Sequence, residues 1–310
     1  MTSRDVLRKF LNVRIGFSSK GRRAPHKPLL LIWTINRCLS SESRLAPFRL
    51  VKVELERLME LFGPHSGKRN VHVPFWRLRT DGIWELDRPH LVREHANGGP
   101  QRSSLLANNI HGGLREDYYD RLSADPALAF EIVMSLLDEH FPETLHQDIL
   151  EAVGITNTLG VLGSEPDRYG LVKLRQGQTA FRESVLEAYE HCCAVCGLAI
   201  RVHGALVAIE AAHIRWHTSK GPAEVRNGLA LCALHHKFFD YGAFTVLLDF
   251  KVYISSATEG RGVDEALRDH HGRLLFRIPD HADERPSEGY LEWHHKEVFK
   301  TPRELSRAGF

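Results

Sequence analysis

The sequence predicts an α+β protein of two domains, and three observations carry that prediction. Apolar residues recur at helical spacing through much of residues 27–153, interrupted by one stretch that alternates as strands do. Residues 154–177 lose that periodicity and gather Gly, Ser and Pro, the composition of a linker. Beyond them, cysteines and histidines fall at metal-ligand spacing. The expected organisation is a mostly helical domain with a small sheet over residues 1–153, a linker over 154–177, and a second α+β domain over 178–310.

Each element follows from local pattern. KPLLLIWTINRCL, residues 27–39, reads as a buried helix with Pro28 in its first turn, where a missing N–H costs nothing. LVKVELERLMELF, residues 50–62, is amphipathic. Residues 68–87 alternate and carry aromatics (VHVPFWRLRTDGIWEL), which predicts short strands around an Asp81-Gly82 turn. Residues 92–105 are polar and glycine-bearing and read as a loop. Residues 127–142 form another amphipathic pattern, and 146–153 extend that layer. A helix is expected from near Thr179 into the cysteines, and TVLLD and KVYISS predict a strand pair further on.

Composition excludes some classes. With 43% hydrophobic and 26% charged residues the chain reads as soluble and globular. No apolar run approaches the ~20 residues that span a bilayer. The N-terminus MTSRDVLRKFLNV lacks a signal-peptide apolar core, so a cytoplasmic protein is expected. The net charge is only +2, but residues 1–30 hold eight Lys/Arg against the single acid Asp5. Such a cluster is either a solvated basic arm or a phosphate-attracting one.

Of five cysteines, Cys38 stands alone in an apolar segment and reads as a core residue. Cys193 and Cys196 form a CxxC, and Cys232 and His235 form a CxxH. Two such pairs complete a closed tetrahedron, and thiolate with imidazole selects a structural Zn²⁺. Cys192 competes with Cys193, but Cys193 has the usual spacing to Cys196.

Between these pairs stand the blocks AHI (from Ala212), NGL (from Asn227), LCALHH (from Leu231) and FD (Phe239-Asp240). Over about Cys193 to Phe244 this order resembles the HNH endonucleases with a ββα-metal fold, of the modification-dependent, McrA-like type IV restriction enzymes. The resemblance implies that His213, on the second strand, is the general base, that Asn227 fixes the loop and orients it, and that His236 binds the catalytic metal. The chemistry agrees: a neutral imidazole can take a proton from water, and a divalent ion stabilises charge developing on phosphate. His236 and Asp240 lie four apart in an expected helix, on one face, and are expected to share Mg²⁺ or Mn²⁺. Many members carry Asp or His before the base; here Ala212 stands there, and Glu210 is a further helper candidate.

RAPHKPLLLIWTI, HVPFWRLRTDGIWEL and GGPQRSSLL resemble the sulfur-binding domain of type IV restriction enzymes over about residues 8–150. That resemblance implies recognition of double-stranded DNA carrying phosphorothioate links. Val73, Pro74 and Phe75 would form an apolar cup for sulfur and Arg102 would supply charge. His26 and Arg77 would contact phosphate or base edges, and Gln101 and Ser103 would read bases or hold the backbone. A homodimer would convert two nicks into a double-strand break. Two other readings stay open: an HNH enzyme that reads methylated or unmodified DNA, and a non-catalytic zinc-containing DNA reader.

Overall fold

Helix α2 (His26–Leu39) organises the N-terminal unit of the computed structural model, which describes residues 2–15, 24–64, 70–155 and 176–300. Leu29, Leu30, Ile32 and Ile35 are wholly inaccessible, so this helix is buried around most of its circumference, as a run of continuous apolar residues requires. α1 (Ser3–Leu11), α3 (Phe48–Phe62), α6 (Glu116–Ala124), α7 (Pro126–His140) and α8 (His146–Val153) belong to the same unit. Their ends follow local chemistry. Thr2 and Asp5 form a reciprocal capping box at the start of α1, and Asp125 caps α7 by accepting from the Leu128 N–H. Asn36 donates to the Val153 carbonyl at 2.7 Å, joining α2 to the end of α8.

The small sheet has order β1-β3-β2, all antiparallel: Leu45–Pro47, His111–Leu114 and Trp84–Leu86. Most of the expected strand stretch is not strand. His72–Arg77 forms helix α4 and Leu78–Asp81 a 3-10 turn, and only Trp84–Leu86 pairs. The reason is the spacing of buried residues. Val71, Pro74, Phe75, Trp76 and Leu78 are all buried, a helical face rather than an alternating one. Pro74 fits because the first helical turn has no intrahelical use for its N–H. The expected loop at 92–105 also ends earlier, since α5 begins at Arg102 (Arg102–Ala107).

The chain divides into two compact units, whose break in the chain falls within residues 156–175. Most of the expected linker, residues 156–175, lies outside the described residues. Helix α9 (Gln176–Ala188) starts slightly before the Thr179 expectation. It leads into a hairpin of β4 (Ile200–Val202) and β5 (Ala205–Val207), then into β6 (Ile209–His213) and β7 (Gly228–Cys232), which pair antiparallel with His213 opposite Gly228. Helix α10 (Ala233–Asp240) follows β7 directly. His213 is therefore on the third strand of this unit and the first of the β6–β7 pair, a correction to its expected place. The β4–β5 hairpin intervenes between the CxxC turn and the pair.

Gly228 permits this packing. A Cβ there would stand 2.4 Å from Val185 Cγ2, so only glycine lets α9 lie against the β6–β7 pair. The expected second strand pair is present as β8 (Phe244–Val246) and β9 (Val252–Ile254), and α11 (Glu288–Glu297) packs on β8. Among the described residues no helix is long and apolar enough to cross a membrane.

Candidate nuclease centre and nucleic-acid interface

The metal cluster comes from two tight turns. Gly197, at φ +74°, closes the first, with its N–H on the Cys193 carbonyl at 2.8 Å and the Cys193 N–H on the Leu198 carbonyl at 2.9 Å. The second is the start of α10. Together they bring one donor atom each from Cys193, Cys196, Cys232 and His235 within 4.8 Å of one another. His235 Nδ1 lies 3.1 Å from Cys232 Sγ and 3.6 Å from Cys193 Sγ. A tetrahedral ion with sulfur bonds of ~2.3 Å needs ligand separations of about this size. His235 Nε2 is 3.0 Å from the Ala266 carbonyl, which only accepts, so Nε2 carries the proton and Nδ1 faces the sulfurs. Burial works to lower the basicity of His235, but the three sulfurs facing Nδ1 prevail and raise its pKa to about 12, so without a metal a proton sits on Nδ1 where a metal cation would replace it. A soft cation fits this donor set. Cys192 points elsewhere, its thiol on the Tyr189 carbonyl at 3.1 Å, with a pKa raised chiefly by burial.

In the same unit, β6 and α10 assemble a second cluster. His213 ends β6 with its ring stacked on Phe181 of α9, centroids 4.0 Å apart. Burial, then the neighbouring His217, lowers its pKa to about 4, so the imidazole is neutral at pH 7. Its Nε2 is buried without a hydrogen-bond partner among the described residues. Asn227, wholly buried, staples the intervening loop: Oδ1 accepts from the Arg215 N–H at 2.8 Å, and Nδ2 donates to the Arg215 and Pro222 carbonyls at 3.0 and 2.8 Å. Its own carbonyl accepts from the Ile214 N–H at 2.9 Å, next to the histidine it was expected to orient.

His236 sits between two carboxylates. Its Nδ1 is 2.6 Å from Glu210 Oε2 and its Nε2 is 3.3 Å from Asp240 Oδ2. Burial opposes the imidazolium, but Asp240 and Glu210 outweigh it and raise the pKa to about 10. The hydrogen bond from His236 is the main reason that the Glu210 pKa is lowered. Ala212 is fully buried opposite Leu229 and offers no donor. Glu210 and Phe181 are the neighbours that sequence reasoning underweighted or missed. Glu210 carried a positional signal on the strand of the histidine, whereas Phe181 carried none.

In the N-terminal unit the expected reader residues separate. Helical geometry puts Val73 and Arg77 four apart on the outer face of α4, with Val73 partly exposed and Arg77 exposed. Phe75 turns inward, wholly buried against Phe48 and Trp84 with centroids at 5.0 and 5.8 Å. It can back a cup but not line one, a correction that follows from helix replacing strand. Pro74 is also largely buried. Arg102 and Ser103 are exposed at the start of α5 and Gln101 is half-buried, and Arg102 lies 3.7 Å from Glu56. His26, at the start of α2, has a buried Nε2 with no hydrogen-bond partner among the described residues and a pKa lowered by burial to about 4. His72, beside the expected VPF block, was missed. Its Nδ1 is buried with no hydrogen-bond partner among the described residues, and burial, then Arg102 and His95, lowers its pKa. Arg79 lies over the Trp76 ring at 3.4 Å.

A neutral histidine ends the strand that pairs with β7, the strand leading into the helix of the His–Asp pair, and the HNH endonuclease family matches this segment, residues 193–247. The family described as ScoMcrA-like, DNA sulfur-binding domain matches residues 3–158, half of the chain, and the chain belongs to that family. A sulfur-binding domain joined to an HNH nuclease is the make-up of a type IV restriction endonuclease. Among solved structures, the sulfur-binding domain of ScoMcrA complexed with phosphorothioated DNA is 29% identical, covering 48% of this chain and 94% of that one at a TM-score of 0.43. That of SprMcrA, also complexed with phosphorothioated DNA, is 21% identical, covering 50% and 95% at 0.42. The type IV phosphorothioation-dependent restriction endonuclease ScoMcrA is 27% identical, covering 47% and 32% at 0.41. Among curated proteins no match is found.

Proposed function

We propose that this protein recognises phosphorothioate-modified double-stranded DNA through residues 1–153 and hydrolyses phosphodiester bonds nearby through residues 178–310. The observation that carries the nuclease half is the neutral His213 standing at the end of the strand that pairs with β7, which feeds α10 with His236 and Asp240. His213 accepts the proton of the attacking water as that oxygen bonds to phosphorus and the sugar oxygen departs. Asn227 keeps the 214–227 loop closed, so the imidazole keeps its place. His236 and Asp240 would hold Mg²⁺ or Mn²⁺, an ion that stabilises charge on the scissile phosphate. Two protein donors suffice for such a hard cation, which keeps water and phosphate oxygens in its other positions. Cys193, Cys196, Cys232 and His235 hold Zn²⁺ with no open position and serve structure only.

For the reader half, the outer face of α4 supplies Val73 with Pro74 beneath, and Phe75 backs them. Sulfur is softer and less hydrated than oxygen, so an apolar surface beside a cation distinguishes it. Arg102 supplies the charge, His26 and Arg77 contact phosphate or base edges, and Gln101 and Ser103 read bases or hold the backbone. The protein acts as a homodimer that makes one nick per copy.

The test is cleavage of two duplexes identical but for one phosphorothioate link, with Mg²⁺ or Mn²⁺ supplied. Cutting of the sulfur duplex alone is expected. Equal cutting of both would remove the sulfur reader, and preference for a methylated duplex would replace it. Binding without cutting would leave a non-catalytic reader.

A further inference from the structure

The residue before the base donates nothing, because Ala212 is a buried methyl group. The proposed ion site must therefore work with His236 and Asp240, and an imidazole can present only one nitrogen to an ion. The two distances around His236 decide which. Nδ1 to Glu210 Oε2 is 2.6 Å, a short charge-assisted hydrogen bond. It is too short for two ligands of one ion, whose neighbouring donors stand about 3 Å apart when each bond is ~2.0–2.1 Å. Nε2 to Asp240 Oδ2 is 3.3 Å, close to that ligand–ligand separation. Both carboxylates only accept, so without an ion each ring nitrogen keeps its proton; an ion between Nε2 and Asp240 would take the place of the Nε2 proton, while Nδ1 keeps its own on Glu210.

We propose that Glu210 is a positioning residue for the divalent cation: its carboxylate holds His236 by the Nδ1–H, fixes the ring's tautomer, and turns Nε2 with Asp240 toward the ion. The inference rests on the nuclease reading above. The carboxylate comes from β6, three residues before His213, so the same contact ties the strand of the base to the helix of the metal ligands. Exposure agrees with an orienting role outside a fixed cage: the Glu210 side chain is 46% exposed and those of His236 and Asp240 only 15% and 2%.

The experiment is Mn²⁺ titration of the zinc-loaded full chain, read by the electron paramagnetic resonance signal of free Mn²⁺, with zinc content and melting temperature confirming each variant's fold. His236→Ala and Asp240→Ala should abolish specific binding. Glu210→Ala should weaken it by about 10–100-fold, the usual loss when an outer partner of a metal-bound histidine goes. Glu210→Gln keeps an oxygen that accepts the Nδ1–H and should recover most of that loss. In the Mg²⁺ form, the His236 Nδ1–H proton should be visible by NMR in the wild type and Glu210→Gln and lost in Glu210→Ala. Wild-type Mn²⁺ affinity in Glu210→Ala would overturn the assignment, as would Glu210→Gln behaving like Asp240→Ala, which would make Glu210 a ligand. If His236→Ala and Asp240→Ala also bind Mn²⁺ like the wild type, the ion site itself is misplaced and the inference falls with it.

Discussion

The two candidate sites are built on opposite plans. The candidate nuclease centre draws His213, Asn227, His236, Asp240 and the four cluster residues from one segment, residues 193–240, and apart from His213 Nε2 its polar groups are tied to named partners: Asn227 to the loop, His235 to Ala266, His236 to two carboxylates. The candidate reader draws His26, the α4 face and the start of α5 from three separated segments, leaves His26 Nε2 and His72 Nδ1 buried without a hydrogen-bond partner among the described residues, and holds Arg77, Arg102 and Ser103 in solvent. A centre that must place a proton and an ion is organised before substrate arrives, because misplacement costs rate directly. A surface that grips a polyanion can leave cations exposed and complete its contacts on binding.

That contrast can be broken at its strongest point. His213→Ala should lower cleavage by about 10²–10⁴-fold, the span of a general base, while affinity for a sulfur duplex and zinc content stay unchanged. An equal loss of DNA binding would mean that the two sites are not separable. Gly228→Ala should come next. Its new methyl meets Val185 Cγ2 in a packed core, so a loss of about 1–3 kcal/mol is expected in denaturant unfolding of the nuclease unit, with the reader unit's transition unmoved.

On the reader side, Arg102→Ala should reduce affinity for the phosphorothioate duplex by roughly tenfold and shrink the salt dependence by about one counterion, with single-turnover cutting of bound DNA unchanged. Affinity and salt slope equal to wild type would remove Arg102 from the interface. The smallest effect concerns pH. His26 and His140 have folded pKa values near 4 from burial, below the ordinary 6.5. The unfolded chain thus binds more protons between those values, so stability rises with pH there and is withdrawn as pH falls from about 6.5 toward 4. His140→Leu should flatten that slope in thermal melts of the N-terminal unit, and an unchanged slope would place the proton uptake elsewhere.

Sequence pattern determined whatever is local. The CxxC and CxxH spacings marked the four residues that converge, because tight turns fix where ligands two or three positions apart point. The i, i+4 spacing placed His236 beside Asp240, since one helical turn brings those positions together. Helices α2, α3, α7 and α8 were legible from apolar period, as was the β8–β9 pair. Where period misled, the misreading was also local: aromatics in VHVPFW suit either a pleated or a helical surface, and packing against Phe48 and Trp84 chose the helix and buried Phe75. Only the tertiary structure decided which residues meet across long sequence separations. Phe181 reaches His213 over 32 residues and Glu210 reaches His236 over 26, through packing of α9 and α10 on the β6–β7 pair. No period in the chain encodes such a meeting, because it depends on how whole elements bury their apolar faces together.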